Sequence, residues 1–219
     1  MSQYQGSRSP RLYVDAALGA DQEINLESAQ IHYLVNVMRM KAGRTVLIFN
    51  GRDGEWSAEI IEAGRRDCRV RCVRQTRTQT PQGDIHYLFA PLKRARLDYM
   101  VQKATELGAS VMQPVVTRYT MVERINIARL EANAVEAAEQ CNILSVPEIN
   151  APQKLDHLLE NWDPARRIIY CDEVAPLADP IAALRKLEKG PLAVLIGPEG
   201  GFSEPERRLL RDQDYVKAI

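Results

Sequence analysis

The stretch LIGPEGGFS, residues 195–203, joins an apolar run to three glycines and then to a serine able to open a helix. A strand, a glycine loop and a helix start let backbone amides approach a ligand closely. The loop is not G-x-G-x-x-G and has no P-loop lysine, which argues against a dinucleotide or a triphosphate. It offers main-chain donors and acceptors around Gly197, Gly200 and Gly201, with one carboxylate, Glu199. That set suits a nucleoside-like ligand without a phosphate; the pattern alone also fits a tight turn that binds nothing. A second stretch, residues 64–77, carries six arginines (Arg65, Arg66, Arg69, Arg71, Arg74 and Arg77) against one acid, Asp67. Arginine in place of lysine and the scarcity of acids fit phosphate binding, with a charge-protected edge strand as the other reading.

The glycine loop needs a buried strand before it, and PLAVLIG is almost wholly apolar, like a parallel strand covered on both faces. SEPERRLLRDQ then reads as a helix, with Ser203 and Glu206 at capping-box spacing. Upstream, strand and helix alternate. IHYLFAPL precedes RARLDYMVQKATELGA, with Leu97, Val101, Ala104 and Leu107 on one face; VMQPVVT precedes NIARLEANAVEAAEQC; RIIYCDE precedes ADPIAALRKLE. This argues for an α/β domain with a mainly parallel sheet.

The first third differs. RTVLIFN, the turn GRDG, EWSAEIIEA and CRVRCVRQ read as strands, with RLYV as another. ESAQIHYLVNVMRMKAG reads as a helix on Ile31, Leu34, Val35 and Met38, stopped by Gly43, with His32 packed inward. In CRVRCV, Cys68, Val70 and Cys72 alternate inward and Arg69 and Arg71 outward. The polar TRTQTPQGD is a linker. The expected division is a small β-barrel over residues 1–76 and an α/β domain over residues 77–219.

Hydrophobic residues make up 45% and charged residues 26%, an ordinary globular balance that excludes general disorder. No apolar run is long enough to span a bilayer. The opening MSQYQGSRSPRLYV lacks the apolar centre of an export signal, and Cys68, Cys72, Cys141 and Cys171 lack zinc-site spacing. Free thiols, no metal, no membrane and a cytoplasmic location are expected. Twenty-nine basic and 29 acidic residues cancel, which on its face argues against a nucleic-acid partner. The sum hides a division: residues 1–80 hold 12 basic against 9 acidic, and residues 81–219 hold 17 against 20.

Five motifs in order, HYLVNVMRMKAG, FNGRDGEW, LDYMVQKATELGA, EAAEQC and GPEGGFS, resemble the RsmE family of ribosomal RNA methyltransferases, in the SPOUT superfamily of knotted α/β enzymes. The resemblance covers about residues 11–219. It implies an N-terminal PUA-like β-barrel for RNA and a C-terminal SPOUT-type α/β domain with a trefoil knot. The implied reaction is transfer of a methyl group from S-adenosyl-L-methionine to N3 of a uridine in 16S ribosomal RNA, within the assembled small subunit, by a homodimer. Carried over by position, the cofactor loop is Leu195, Ile196, Gly197, Glu199, Gly200 and Gly201, and Cys171, Asp172 and Glu173 form a second wall. Arg11 matches an arginine near the target base. RNA contacts are expected from Arg11, Arg65, Arg66, Arg69, Arg71, Arg74, Lys93 and Arg94. Lys93, Arg94 and Arg96 open a helix, where the dipole disfavours cations; RNA phosphate would account for them, with a solvated first turn as the other reading.

Uracil N3 carries a proton that is lost only above neutral pH. An enzyme must stabilise the N3 anion or remove the proton, then align N3 with the methyl sulfonium. A cation near O2 or O4, from Arg11 or Arg118, would spread the developing charge. Glu199 is a candidate base, with a turn-stabilising role as its alternative. Two departures stand out: Asn142 and Ile143 replace a usual Gly-Arg, and the chain ends at DYVKAI where the family continues with a knot-closing segment. The last knot segment is therefore expected to be missing, with weak cofactor binding as the consequence. The rival reading is a non-catalytic RNA-binding module with a degenerate methyltransferase domain. The lack of G-x-G-x-x-G and of its acid about 20 residues on argues against a nucleotide-cofactor oxidoreductase.

Overall fold

A computed structural model describes residues 9–121, 124–175 and 179–219; the first eight residues of the polar N-terminal stretch lie outside it, as do residues 122–123 and 176–178. The chain divides into two compact units, one comprising the chain up to Pro81 with Ala138–Val146, the other Gln82–Ala137 with Pro147–Ile219.

The first unit contains β1 (Arg11–Tyr13), β2 (Glu23–Asn25), α1 (Ser28–Ile31), a π-helical turn (His32–Val37), β3 (Thr45–Phe49), β4 (Glu55–Ala63) and β5 (Cys68–Arg77). Its sheet runs in the order β1-β3-β4-β5-β2, with β1 parallel to β3 and the other pairs antiparallel. Alternation decides which residues it buries: Val46, Ile48, Ala58, Ile60, Val70 and Cys72 have no exposed surface. Burial pushes the Cys68 and Cys72 thiols up, so both stay protonated at neutral pH. The Gly54 turn is tight: φ is +77°, and a Cβ there would lie 2.2 Å from the Arg77 carbonyl oxygen. The expected helix is shorter, and most of it is π-helical. Because the turn widens, Leu34 alone of its six residues is buried. His32, expected inside, is exposed and hydrogen-bonds to Asn36 at 3.1 Å.

Residues 138–146 group with this sheet instead of with the α/β unit, where the expected division fell at 76/77, and Arg11 is among the residues that hold them there. Its Nε donates to the Glu55 carboxylate at 2.6 Å, Nη1 to Ala138 O at 2.5 Å and Nη2 to Ile143 O at 2.7 Å. The guanidinium also lies 3.7 Å from the Phe49 ring centroid. One cation thus reaches carbonyls at and just beyond a helix end, adding to the Ile143 N–H that Ala138 O already accepts at 3.1 Å, while Phe49, Ala138 and Leu144 close an apolar cluster beside it.

The second unit contains β6 (Ile85–Phe89), α2 (Arg94–Glu106), β7 (Val111–Val116), α3 (Ile127–Gln140, its last turn within 138–146), β8 (Glu148–Ile149), β9 (Gln153–Lys154), α4 (Leu155–Glu160), β10 (Arg167–Cys171), α5 (Pro180–Arg185), β11 (Leu192–Ile196), α6 (Glu204–Arg211) and β12 (Val216–Ala218). The sheet order is β12-β10-β11-β6-β7-β8, with β9 also on β7, and every pair is parallel. Leu88, Ile168, Tyr170, Ala193, Leu195 and Leu210 are fully buried in its core. The α2 face differs from the periodic reading: Leu97, Val101 and Thr105 are buried, whereas Leu107 is 83% exposed. The helix ends at Glu106, and Thr105 Oγ1 can be buried because it donates to Val101 O at 2.9 Å. Among the described residues no helix is long and apolar enough to cross a membrane.

Arg11→Met should destabilise the protein by about 3 kcal/mol, because the buried Glu55 then keeps only the Thr76 hydroxyl at 2.9 Å and a loose 3.8 Å approach of Arg77. Urea denaturation checks this, and the Arg11→Met/Glu55→Met double change should recover most of the loss.

Candidate functional site

In parallel sheets, ligands bind beyond the carboxyl ends of the strands. Here those of β6, β7, β10 and β11 lead into residues 91–93, 117–121, 172–175 and 197–202. Cys171 and Ile196 end paired strands side by side. Cys171 and Glu173 are therefore brought to the glycine loop. Gly201 sits at φ +68°, and a Cβ there would meet Glu173 Oε1 at 2.5 Å. A Cβ on Gly197 would lie 2.4 Å from the Phe202 ring, which packs edge-on at 5.0 Å against Tyr170. These two glycines let the loop fold down on the sheet. Gly200 is exposed, and its backbone is open to a ligand.

Asp172 is the electrostatic centre. Its side chain has no exposed surface and is held by Arg207 Nη1 at 2.5 Å and Arg211 Nη2 at 2.7 Å. Burial by itself would raise its carboxyl. The Arg211 hydrogen bond, the Val174 N–H and both arginine charges outweigh that and hold it below the ordinary value. Arg207 also donates from Nη2 to Glu173 at 2.7 Å and from Nε to Phe202 O at 3.0 Å. One side chain ties the end of β10 to the glycine loop. The sequence reading missed Arg207 and Arg211. Their signal is spacing: two arginines four apart on a helix, near an acid that ends an apolar strand.

The α6 capping box forms as expected, and its Glu206 has a second task. Oε2 accepts from Ser203 N and Oγ at 2.8 and 2.7 Å, while Oε1 accepts from Arg118 N at 2.7 Å. The residues after β7 are thereby fixed to the helix that follows the loop. Arg118, Tyr119, Thr120, Met121 and Gly200 line a cleft of about 540 Å³. Glu199 pairs with Arg96, so the cation at the start of α2 has a protein partner. Lys93 and Arg94 are exposed. Leu195 is fully buried, which leaves only its backbone for a ligand, while Ile196 is partly exposed. Burial raises the Cys171 thiol, so it is neutral at physiological pH.

In the first unit, Arg11 is buried with its guanidinium engaged as described above, a placement that does not suit it to RNA contact or catalysis. Arg69 is ion-paired with Glu23 and Glu62, and Arg71 with Glu23. Arg65, Arg66 and Arg74 are exposed.

The profile of a family described as the RNA methyltransferase domain matches residues 78–218, and that of the RNA methyltransferase PUA domain matches residues 26–71. The chain belongs to the RNA methyltransferase domain family. It is 29% identical over 212 residues to ribosomal RNA small subunit methyltransferase E of Rickettsia conorii, covering 95% of this chain and 86% of the relative. The identity to the protein of the same name from Bacillus subtilis is 26%, covering 88% and 80%. The structure of ribosomal RNA small subunit methyltransferase E from Neisseria gonorrhoeae, bound to S-adenosyl methionine, superposes with a TM-score of 0.83 at 21% identity, over 96% of this chain and 88% of that one.

The lowered Asp172 carboxyl sets a pH dependence. Its stabilisation is complete above the ordinary carboxylate value of 3.8 and is lost as pH falls through the lowered folded value. Asp172→Asn should cost about 2 kcal/mol or more at pH 7 and flatten the acid limb of the stability profile, read as urea midpoints from pH 7 to pH 2.

Proposed function

We propose that this RNA methyltransferase transfers a methyl group from S-adenosyl-L-methionine to N3 of a uridine in the 16S RNA of the small ribosomal subunit. The observation that carries this is the glycine loop at the carboxyl edge, joined to the β10 wall through Arg207. The residues fit the cofactor. Gly200 exposes main-chain groups, the tight seats of Gly197 and Gly201 leave room above the loop, and Ile196, Met121 and Val174 supply exposed apolar surface for a base. Ile196, Gly197, Glu199, Gly200 and Gly201 would hold it on one side and Cys171 and Glu173 on the other, with Asp172 bracing that wall. When bound, the cofactor supplies the electrophilic methyl group.

This chain's own residues do the rest. Arg118, beside Gly200, is the cation that offsets charge on the uracil oxygens as the N3 proton leaves. Glu199, paired with Arg96, is a positioned acceptor at the loop and the candidate for accepting that proton. Line-up of the base and exclusion of water fall to the loops after β7 and β11.

The finer assignments belong to the same reading: a PUA-like barrel for RNA, a trefoil-knotted methyltransferase domain, a cytoplasmic enzyme and a homodimer acting on the assembled subunit. A cleft of about 750 Å³ lined by Tyr87, Tyr99, Met100, Leu107, Val194 and Ile196 supports the dimer, because that much exposed apolar surface calls for cover.

The protein should transfer tritiated methyl from S-adenosyl-L-methionine to assembled small subunits, with the label on uridine N3 after nuclease digestion. Arg118→Ala should lower kcat by about 10²-fold, as removal of a charge-stabilising group does elsewhere. No label at a uridine N3 would refute the reading.

A further inference from the structure

Two cationic stretches lie in the first unit, and the structure separates them. On β5, Arg69 and Arg71 meet Glu23 and Glu62 across the strands at 2.8–3.3 Å, so their charge is already balanced. The other stretch follows α1. From Ser28 to Arg52 the sequence holds no Asp or Glu, yet it carries Arg39, Lys41, Arg44 and Arg52. Among the described residues, Arg39, Lys41 and Arg44 are exposed and form no ion pair or side-chain hydrogen bond. Arg52 has only a loose 3.9 Å approach to Asp15.

The same stretch exposes large apolar side chains. Tyr33, Val37 and Met38 are 39%, 57% and 45% exposed. The π-helical bond from Met38 N to Tyr33 O, at 2.9 Å, sets these residues one turn apart while Leu34 anchors the opposite face in the core. Arg39 follows at once in the left-handed region, φ +54°, which a residue with a side chain enters only at a cost. A π-turn and a left-handed arginine in succession keep an aromatic ring, two apolar side chains and three unpaired cations on one exposed segment.

We propose that this segment, from Tyr33 to Arg44, is where the first unit docks single-stranded RNA. A base stacks on Tyr33 beside Val37 and Met38, and Arg39, Lys41 and Arg44 take the flanking phosphates. Stacking platforms bordered by unpaired cations are what single strands require, whereas duplex binding needs phosphate contacts and no exposed ring. Arg69 and Arg71 of β5 stay with their carboxylates. This assignment rests on the RNA-methylating function proposed above and specifies which surface serves it.

The test is fluorescence anisotropy of a fluorescein-labelled single-stranded RNA with the full chain over a range of KCl concentrations. Arg39→Gln/Lys41→Gln/Arg44→Gln should lower the slope of log K against log [salt] by about 2, at roughly 0.7 per lost phosphate contact, while Arg69→Gln/Arg71→Gln leaves it unchanged. Tyr33→Ala should weaken binding about tenfold and Tyr33→Phe should restore it, which separates stacking from a folding defect. An unchanged slope in the triple variant, or a slope lost on changing Arg69 and Arg71, would overturn the assignment while leaving RNA binding intact. Equal affinity for duplex RNA together with an unaffected Tyr33→Ala would overturn the single-strand claim. A wild-type protein that binds no RNA would bring down the RNA reading itself.

Discussion

A carboxylate with no exposed side-chain surface must be paired where it lies, because its desolvation is otherwise too costly. Asp172 meets that condition at the end of β10, and the way it does so organises the α/β unit. Its two arginines stand one turn apart on α6, so the helix has one acceptable rotation above the sheet. With that rotation fixed, Arg207 reaches Glu173 and the Phe202 carbonyl, and Phe202 is pressed against Tyr170 under Gly197. The glycine loop is shaped from below by packing and from the side by charge. Its upper surface is left to main-chain groups. That division of labour is what a site for an uncharged nucleobase and a small zwitterion needs.

The first unit applies the same rule with the signs exchanged. There the buried group is a cation, Arg11, and Glu55, helix-end carbonyls and the Phe49 ring enclose it. Arginine suits the place because a planar fork can serve an acid and two carbonyls in different directions at once. Charge therefore says little about partners until its pairing is known. The net charge of zero conceals the balanced pair Arg69 and Arg71 on β5 and unbalanced cations after the π-turn.

Much of this was legible in the sequence, and the rest was not for identifiable reasons. Strands whose apolar residues alternate, such as Cys68-Val70-Cys72, and helices with a capping box, such as the one opened by Ser203, declare themselves through local rules. The glycine loop was visible as a strand running into glycines, whereas the Cys171–Glu173 wall came only with the family resemblance. Arg207 was hidden because its role depends on a contact 35 residues away, between Asp172 and a helix whose rotation no local pattern specifies. The pairing of Arg11 was hidden for the same reason: an arginine beside a short strand looks available until the carbonyls of Ala138 and Ile143 arrive from 127 and 132 residues further along the chain. The exposure of His32 and Leu107 shows a third limit, since a π-turn and an early helix end shift the face that 3.6-residue periodicity assigns.

The central claim is that the loop from Leu195 to Ser203 and the wall from Cys171 to Ala175 form one cofactor site, braced by Asp172 and Arg207. Hydrogen–deuterium exchange of the full chain with and without S-adenosyl-L-methionine addresses it most directly. The account predicts slowed exchange in both segments together, with the β-strands of the first unit unchanged. Protection confined to other regions, or to one segment without its neighbour, would contradict it.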